Sequence, residues 1–121
     1  MTASDDRRPD GTEGLNRPRL PLTCRAPAIG TVQNDDARMR VTRWDFDPGA
    51  ETGWHRHGFG YVVVPITDGT LLLELPGGAT ATAELKAGVA YTRDAGVEHN
   101  VVNGGKATLS FVEVELKNLP G

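Results

Sequence analysis

The sequence predicts an all-β domain closed into a sandwich or barrel. Three observations carry this expectation. From Met39 onward the chain divides into short β-rich runs, with turn signals about every 8–12 residues. No segment sustains an apolar period near 3.6 residues, the mark of an amphipathic helix. The breaks between runs hold Asp-Gly, Asn-Gly and Pro-Gly pairs, residues that supply turn dihedrals.

The elements follow in order. MRVTRWDF (39–46) is a β-rich run that ends at Asp47-Pro48-Gly49. YVVVPIT (61–67) is β-branched, and Pro65 inside it implies a bulge or an edge position. Asp68-Gly69 is a hairpin turn leading into TLLLEL (70–75), and Pro76-Gly77-Gly78 turns the chain again. TATAELK (80–86) is a weaker strand, and VAYTR (89–93) is short and extended. VEHNVVN (97–103) alternates, Asn103-Gly104-Gly105 is a hairpin signal, and ATLSFVEVELK (107–117) is a long strand. Asn103 is expected to hold the turn into Gly104-Gly105. In the last strand Glu113 and Glu115 alternate with Val112, Val114 and Leu116, as expected for one buried and one wetter face.

The 121 residues suit one domain with one modest core. Residues 1–25 are polar and broken by Pro9, Gly11, Gly14, Pro18 and Pro21, which predicts a flexible arm ahead of a domain over 26–121. The net charge of −3 argues against tracking a phosphate backbone, so no nucleic-acid partner is expected. No apolar run approaches the ~20 residues of a membrane span. MTASDDRRPD lacks the apolar stretch of a secretory signal. Cys24 is the only cysteine and forms no internal disulfide, which suits a cytoplasmic location.

The chain has three histidines. Alternate side chains share a face of a strand, so His55 and His57 point the same way, about 7 Å apart along it. His99, from a neighbouring strand, completes a facial set. Zinc, iron, manganese and nickel all accept imidazole nitrogen, and three protein ligands leave positions open for water or substrate. Glu98 precedes His99 and is expected on the opposite face. Glu51, in the loop before His55, reads as a solvated charge. Trp54 and Phe59 flank the histidines and are candidate pocket walls.

Two spacings resemble a known family. Gly49, five residues, His55-x-His57 and later Gly69 resemble the first cupin motif. Gly88, five residues, Asp94-Ala95-Gly96, two residues, His99, three residues and Asn103 resemble the second. The match spans about residues 39–117 and looks closest to small single-domain cupins, including those named for β-alanine degradation. The resemblance implies a cupin-type double-stranded β-helix, a jelly-roll barrel with one divalent metal in its mouth, held by His55, His57 and His99. Two positions depart from the pattern. Tyr61 and Val62 stand where the first motif supplies a glutamate, and Asp94 stands where the second has proline. Three neutral imidazoles leave a divalent ion its full charge, which favours a small anionic chelating substrate. Three-histidine cupins include dioxygenases, so the resemblance implies a dioxygenase-like oxidoreductase with Fe(II) favoured. The alternatives are a metabolite- or metal-binding cupin without catalysis, and a Zn or Mn Lewis-acid isomerase or lyase. Tyr61 is the candidate catalytic side chain, as a hydrogen-bond donor or acid near the metal; simple barrel filling is the competing role.

ATLSFVEVELK carries Leu109 and Phe111 on one face and Val112, Val114 and Leu116 on the other. Apolar residues of both parities predict that a second copy covers one face, making a homodimer.

Overall fold

The computed structural model describes residues 25–117, and these form two antiparallel sheets. The strands are β1 (Ile29–Asp35), β2 (Met39–Phe46), β3 (His55–Arg56), β4 (Gly60–Pro65), β5 (Gly69–Glu74), β6 (Thr80–Leu85), β7 (Tyr91–Arg93), β8 (Glu98–Asn103) and β9 (Leu109–Leu116). One sheet runs β1-β2-β9-β4-β7 and the other β3-β8-β5-β6. No helix among the described residues is long and apolar enough to cross a membrane.

The register of β2 against β9 explains where the core ends and the site begins. Phe46 lies opposite Leu109, Trp44 opposite Phe111, Thr42 opposite Glu113 and Arg40 opposite Glu115. Alternation sends all eight side chains to one face of the sheet, toward the interior. Both strands therefore pass from apolar to polar in the same direction. At the apolar end Phe46 and Leu109 are almost fully enclosed, and the rings of Phe46 and Phe111 lie 5.6 Å apart. Leu71, Leu85, Val63 and Val101 close this core from the other strands. Each such side chain contributes about 1.5–3 kcal/mol by leaving water. At the other end the interior lining is polar, and the barrel opens there.

β1 is absent from the sequence expectation. All seven of its residues are exposed, so IGTVQND has no buried face to produce an alternating signal. Its register shifts between Val32 and Asn34, a bulge in an edge strand. Gly30 is required here by close approach: a Cβ would meet the Trp44 ring at 2.9 Å. Pro65 forms no bulge. It is the last residue of β4, past the Tyr61–Val63 stretch that pairs with β7, so its missing N–H removes no bond from that ladder.

The face assignment of β9 is reversed from the expectation. Glu113 and Glu115 share the inward face with Leu109 and Phe111, while Val112 and Val114 point outward and are half-buried. The polar mouth of the barrel makes this possible, because there the interior offers imidazoles rather than aliphatic side chains. Asn103 does hold its turn. Its Oδ1 accepts from Gly105 N–H at 3.0 Å, and its amide donates to Ala107 O at 2.8 Å.

Candidate metal centre

The three histidines come from two strands and one loop. His55 lies directly opposite His99 in the β3–β8 ladder. His57 follows just beyond β3, where its N–H bonds Val97 O at 2.8 Å. These positions bring the rings edge to face: the His55 centroid is 4.7 Å from both the His57 and the His99 centroids. His55 Nε2 is 3.0 Å from His57 Nε2, which is 3.2 Å from His99 Nε2.

Tautomers decide what such a cluster can hold. His55 Nδ1 lies 2.8 Å from Gly53 O, and a carbonyl only accepts, so Nδ1 carries the proton. His55 Nε2 is then a bare lone pair facing the other imidazoles. Lone pairs converging at this distance suit a cation between them. Two nitrogens bound at ~2.1 Å and at right angles stand roughly 3.0 Å apart, so the donor set fits a divalent transition ion.

The surroundings keep His57 and His99 neutral. Burial, then the nearby imidazoles, push His57 down to about 4. Burial, then His55 and Arg93, push His99 down to about 4. His57 lies flat on the Tyr61 ring, with centroids 3.9 Å apart and planes at 21°. The Tyr61 phenol is pushed above its ordinary value, first by burial and then by Glu113, and stays protonated. Tyr61 thus fills the barrel and also fixes the plane of a histidine.

Two carboxylates escaped the sequence reading. Glu113 Oε2 lies 3.8 Å from His57 Nε2, and Glu115 Oε2 lies 3.7 Å from His57 Nδ1. His57, Glu113 and Glu115 form a second group with metal-ligating atoms close together. Burial, and then Glu115, push the Glu113 carboxyl up to about 7. The available signal was parity with Leu109 and Phe111, which β9 carries in its own sequence.

Glu113 separates two spaces. On one side is a cleft of about 310 Å³ whose lining includes His55, His57, Trp44, Arg40 and Arg56. On the other is a hollow of about 20 Å³, room for one water, bounded by Tyr61, Tyr91, His99 and Phe111. The aromatic wall of the cleft is therefore Trp44. Trp54 is half exposed, donates to Glu98 Oε2 at 2.8 Å and, like Phe59, does not line the cleft. That bond also keeps Glu98 away from the imidazoles. Glu51 is not a solvated loop charge: it accepts from the Arg25 guanidinium at 3.2 Å and the Asn100 amide at 2.7 Å.

The chain matches the cupin domain family over residues 42–115. It is a cupin. The cupin is 60% identical over 96 residues to the β-alanine degradation protein BauB of Pseudomonas aeruginosa, which covers 79% of this chain and all of the relative. A crystal structure of a cupin domain from Bordetella pertussis superposes with a TM-score of 0.76 at 55% identity, covering 80% of this chain and all of that one. A Klebsiella pneumoniae protein with a double-stranded β-helix domain gives 0.63 at 25% identity, covering 83% and 85%.

Acid acts on this cupin in a defined direction. In the unfolded chain His57 and His99 titrate near 6.5, but in the metal-free fold near 4. The fold therefore binds fewer protons than the unfolded chain in this window, and stability falls as pH drops from 6.5 toward 4. Glu113 acts oppositely. Its carboxyl is raised from 4.5 to about 7, so its effect favours the fold as pH falls through that range. Two imidazoles outweigh one carboxyl, and the net effect of acid is destabilising. Protons also compete with a bound ion for the same nitrogens. Metal content after dialysis across a pH series is expected to be full at pH 7 and to be lost as pH falls through about 4, where His57 and His99 take up protons; retention that persists well below that value would contradict an all-imidazole ligand set.

Proposed function

We propose that this cupin binds one divalent transition ion per chain at His55, His57 and His99 and acts as a dioxygenase-like enzyme on a small anionic chelating metabolite. Convergence of three Nε2 atoms, with the His55 proton held away on Gly53 O, carries the reading. Fe(II) is the favoured ion; Zn, Mn and Ni accept the same donors. When bound, such an ion supplies Lewis acidity and, with O2, redox chemistry.

The chain's own residues set up the rest. Arg40 and Arg56 line the cleft and draw an anion toward the histidines. Trp44 walls the cleft beside the substrate. Glu113 Oε2, beside His57 and on the cleft wall, is placed to take a proton from a chelating substrate and return it. Tyr61 keeps the His57 plane fixed and serves as a neutral donor toward the inner hollow. The name of the Pseudomonas relative concerns β-alanine, itself a small carboxylate, which agrees with the substrate class.

A second copy on the outer face of the larger sheet is the proposed assembly. Val41, Val62, Val64, Val112 and Val114 lie there half-buried beside exposed Leu116 and Ile66. Sedimentation at the monomer mass of 13.0 kDa would contradict it.

Oxygen electrode traces on the Fe(II)-loaded protein test the activity, using a panel of small β-dicarbonyl and thiol carboxylates. Oxygen uptake that matches substrate loss is the expected result. Turnover without O2 would replace the reading with a Lewis-acid isomerase or lyase. Binding without turnover would make the cupin a metabolite-binding protein.

A further inference from the structure

A chain of short polar contacts connects residue 25 to the histidine cluster. The Arg25 guanidinium donates two bonds to Glu74, at 2.9 and 3.0 Å, and a third to Glu51 at 3.2 Å. Both carboxylates also accept from one group, the Asn100 amide: Nδ2 donates to Glu51 Oε1 at 2.7 Å and to Glu74 Oε1 at 2.9 Å. Two acceptors on Nδ2 fix which way the Asn100 amide faces. Its Oδ1 is thereby turned to Gly53 N–H, which donates to it at 3.0 Å. Gly53 stands at φ 90°, a conformation that L side chains rarely adopt, so its peptide orientation depends on what holds it. On its other side Gly53 O accepts from His55 Nδ1 at 2.8 Å and from the Thr52 hydroxyl at 2.9 Å.

We propose that Arg25 is a positioning residue for the metal centre, acting through Glu51, Glu74, Asn100 and Gly53 to set the tautomer and ring orientation of His55. The inference rests on the three-histidine reading of the site. Removing the guanidinium leaves two carboxylates sharing one amide, with no cation between them. Their repulsion releases Asn100, whose backbone also adjoins His99. The Thr52–Gly53 peptide then loses its support, Gly53 turns about its backbone bonds, and the His55 Nδ1 proton loses its fixed acceptor on the following peptide. Histidine ligands depend on such partners: losing one typically costs roughly 10–100-fold in metal affinity. The guanidinium fork is specific to this task. A lysine ammonium neutralises charge but does not span both carboxylates with the same geometry.

The test uses the full-length chain loaded with Co(II), read by chelator competition and by the visible ligand-field absorption of the bound ion. Arg25→Met is expected to weaken Co(II) binding about 10–100-fold and to shift the absorption band, because a ligand has turned. Arg25→Lys is expected to recover part of the affinity. It also decides the matter if Arg25→Met does not fold, since a Lys variant with wild-type affinity and band overturns the proposal. A lower melting temperature in both variants, with Co(II) affinity and spectrum unchanged, overturns it too, because Arg25 would then serve stability alone. Absence of Co(II) binding by the wild-type chain overturns the three-histidine reading, and this inference with it. Wild-type binding with indifferent variants overturns this inference alone.

Discussion

A His99→Ala chain is expected to emerge from purification without its ion, whereas the wild type carries about one per chain. His99 faces His55 across the ladder and supplies the third converging nitrogen. Its loss leaves two imidazoles. Glu113 and Glu115 group with His57 rather than with the full cluster, so neither stands in for the missing donor. The loss in affinity should exceed the roughly 10–100-fold typical of removing an outer hydrogen-bond partner. Elemental analysis of protein prepared without a metal-affinity tag makes the comparison. Equal metal content in the two proteins would remove His99 from the site and with it the proposed centre.

Phe46→Ala is expected to cost about 3–5 kcal/mol of stability, a large share of the ~5–15 kcal/mol of a whole domain. Phe46 is fully enclosed, touches Phe111 and faces Leu109 across the ladder. The two sheets hold one another apart, so the void collapses poorly. Urea unfolding of the metal-free protein measures the cost without the stabilisation that a bound ion adds. A loss under 1 kcal/mol would mean that the core at this end repacks freely, contrary to its close contacts.

What was legible in the sequence follows from what each residue contacts nearby. The run 39–46 and the turns at Asp68-Gly69 and Asn103-Gly104-Gly105 are local chemistry, and strands flank them where the sequence predicts. Neither turn is the hairpin expected, because β4 and β5, like β8 and β9, lie in different sheets, and which strands pair is decided by long-range contacts. The histidines were legible because strand parity and motif spacing are themselves sequence properties. β1 was not, because an exposed edge strand needs no apolar alternation. Glu113 and Glu115 were misread because a charged residue alternating with valine ordinarily faces water; only the register with Phe46 and Trp44 turns them inward. Glu51 was misread for a related reason. Its partner Arg25 lies 26 residues away, in a segment with no secondary-structure signal of its own.

The strand order has a consequence for how the molecule is made. β9 lies between β2 and β4, so the larger sheet has a gap at its centre until β9 arrives. A ribosome adding ~5–20 residues per second needs roughly 3–12 s to travel from Phe46 to Leu109, its partner. During that interval the nascent chain carries β2 with one edge unsatisfied and Phe46 uncovered. The smaller sheet closes over shorter spans: β5 pairs with β6 directly, and β3 meets β8 where His55 lies opposite His99. Two of the three histidine-bearing segments, β3 and β8, belong to that sheet, and His57 follows β3 directly. All three imidazoles therefore sit on segments that need no contact with β9 to come together, and a divalent ion captured by them would act as a template for closing the barrel around itself.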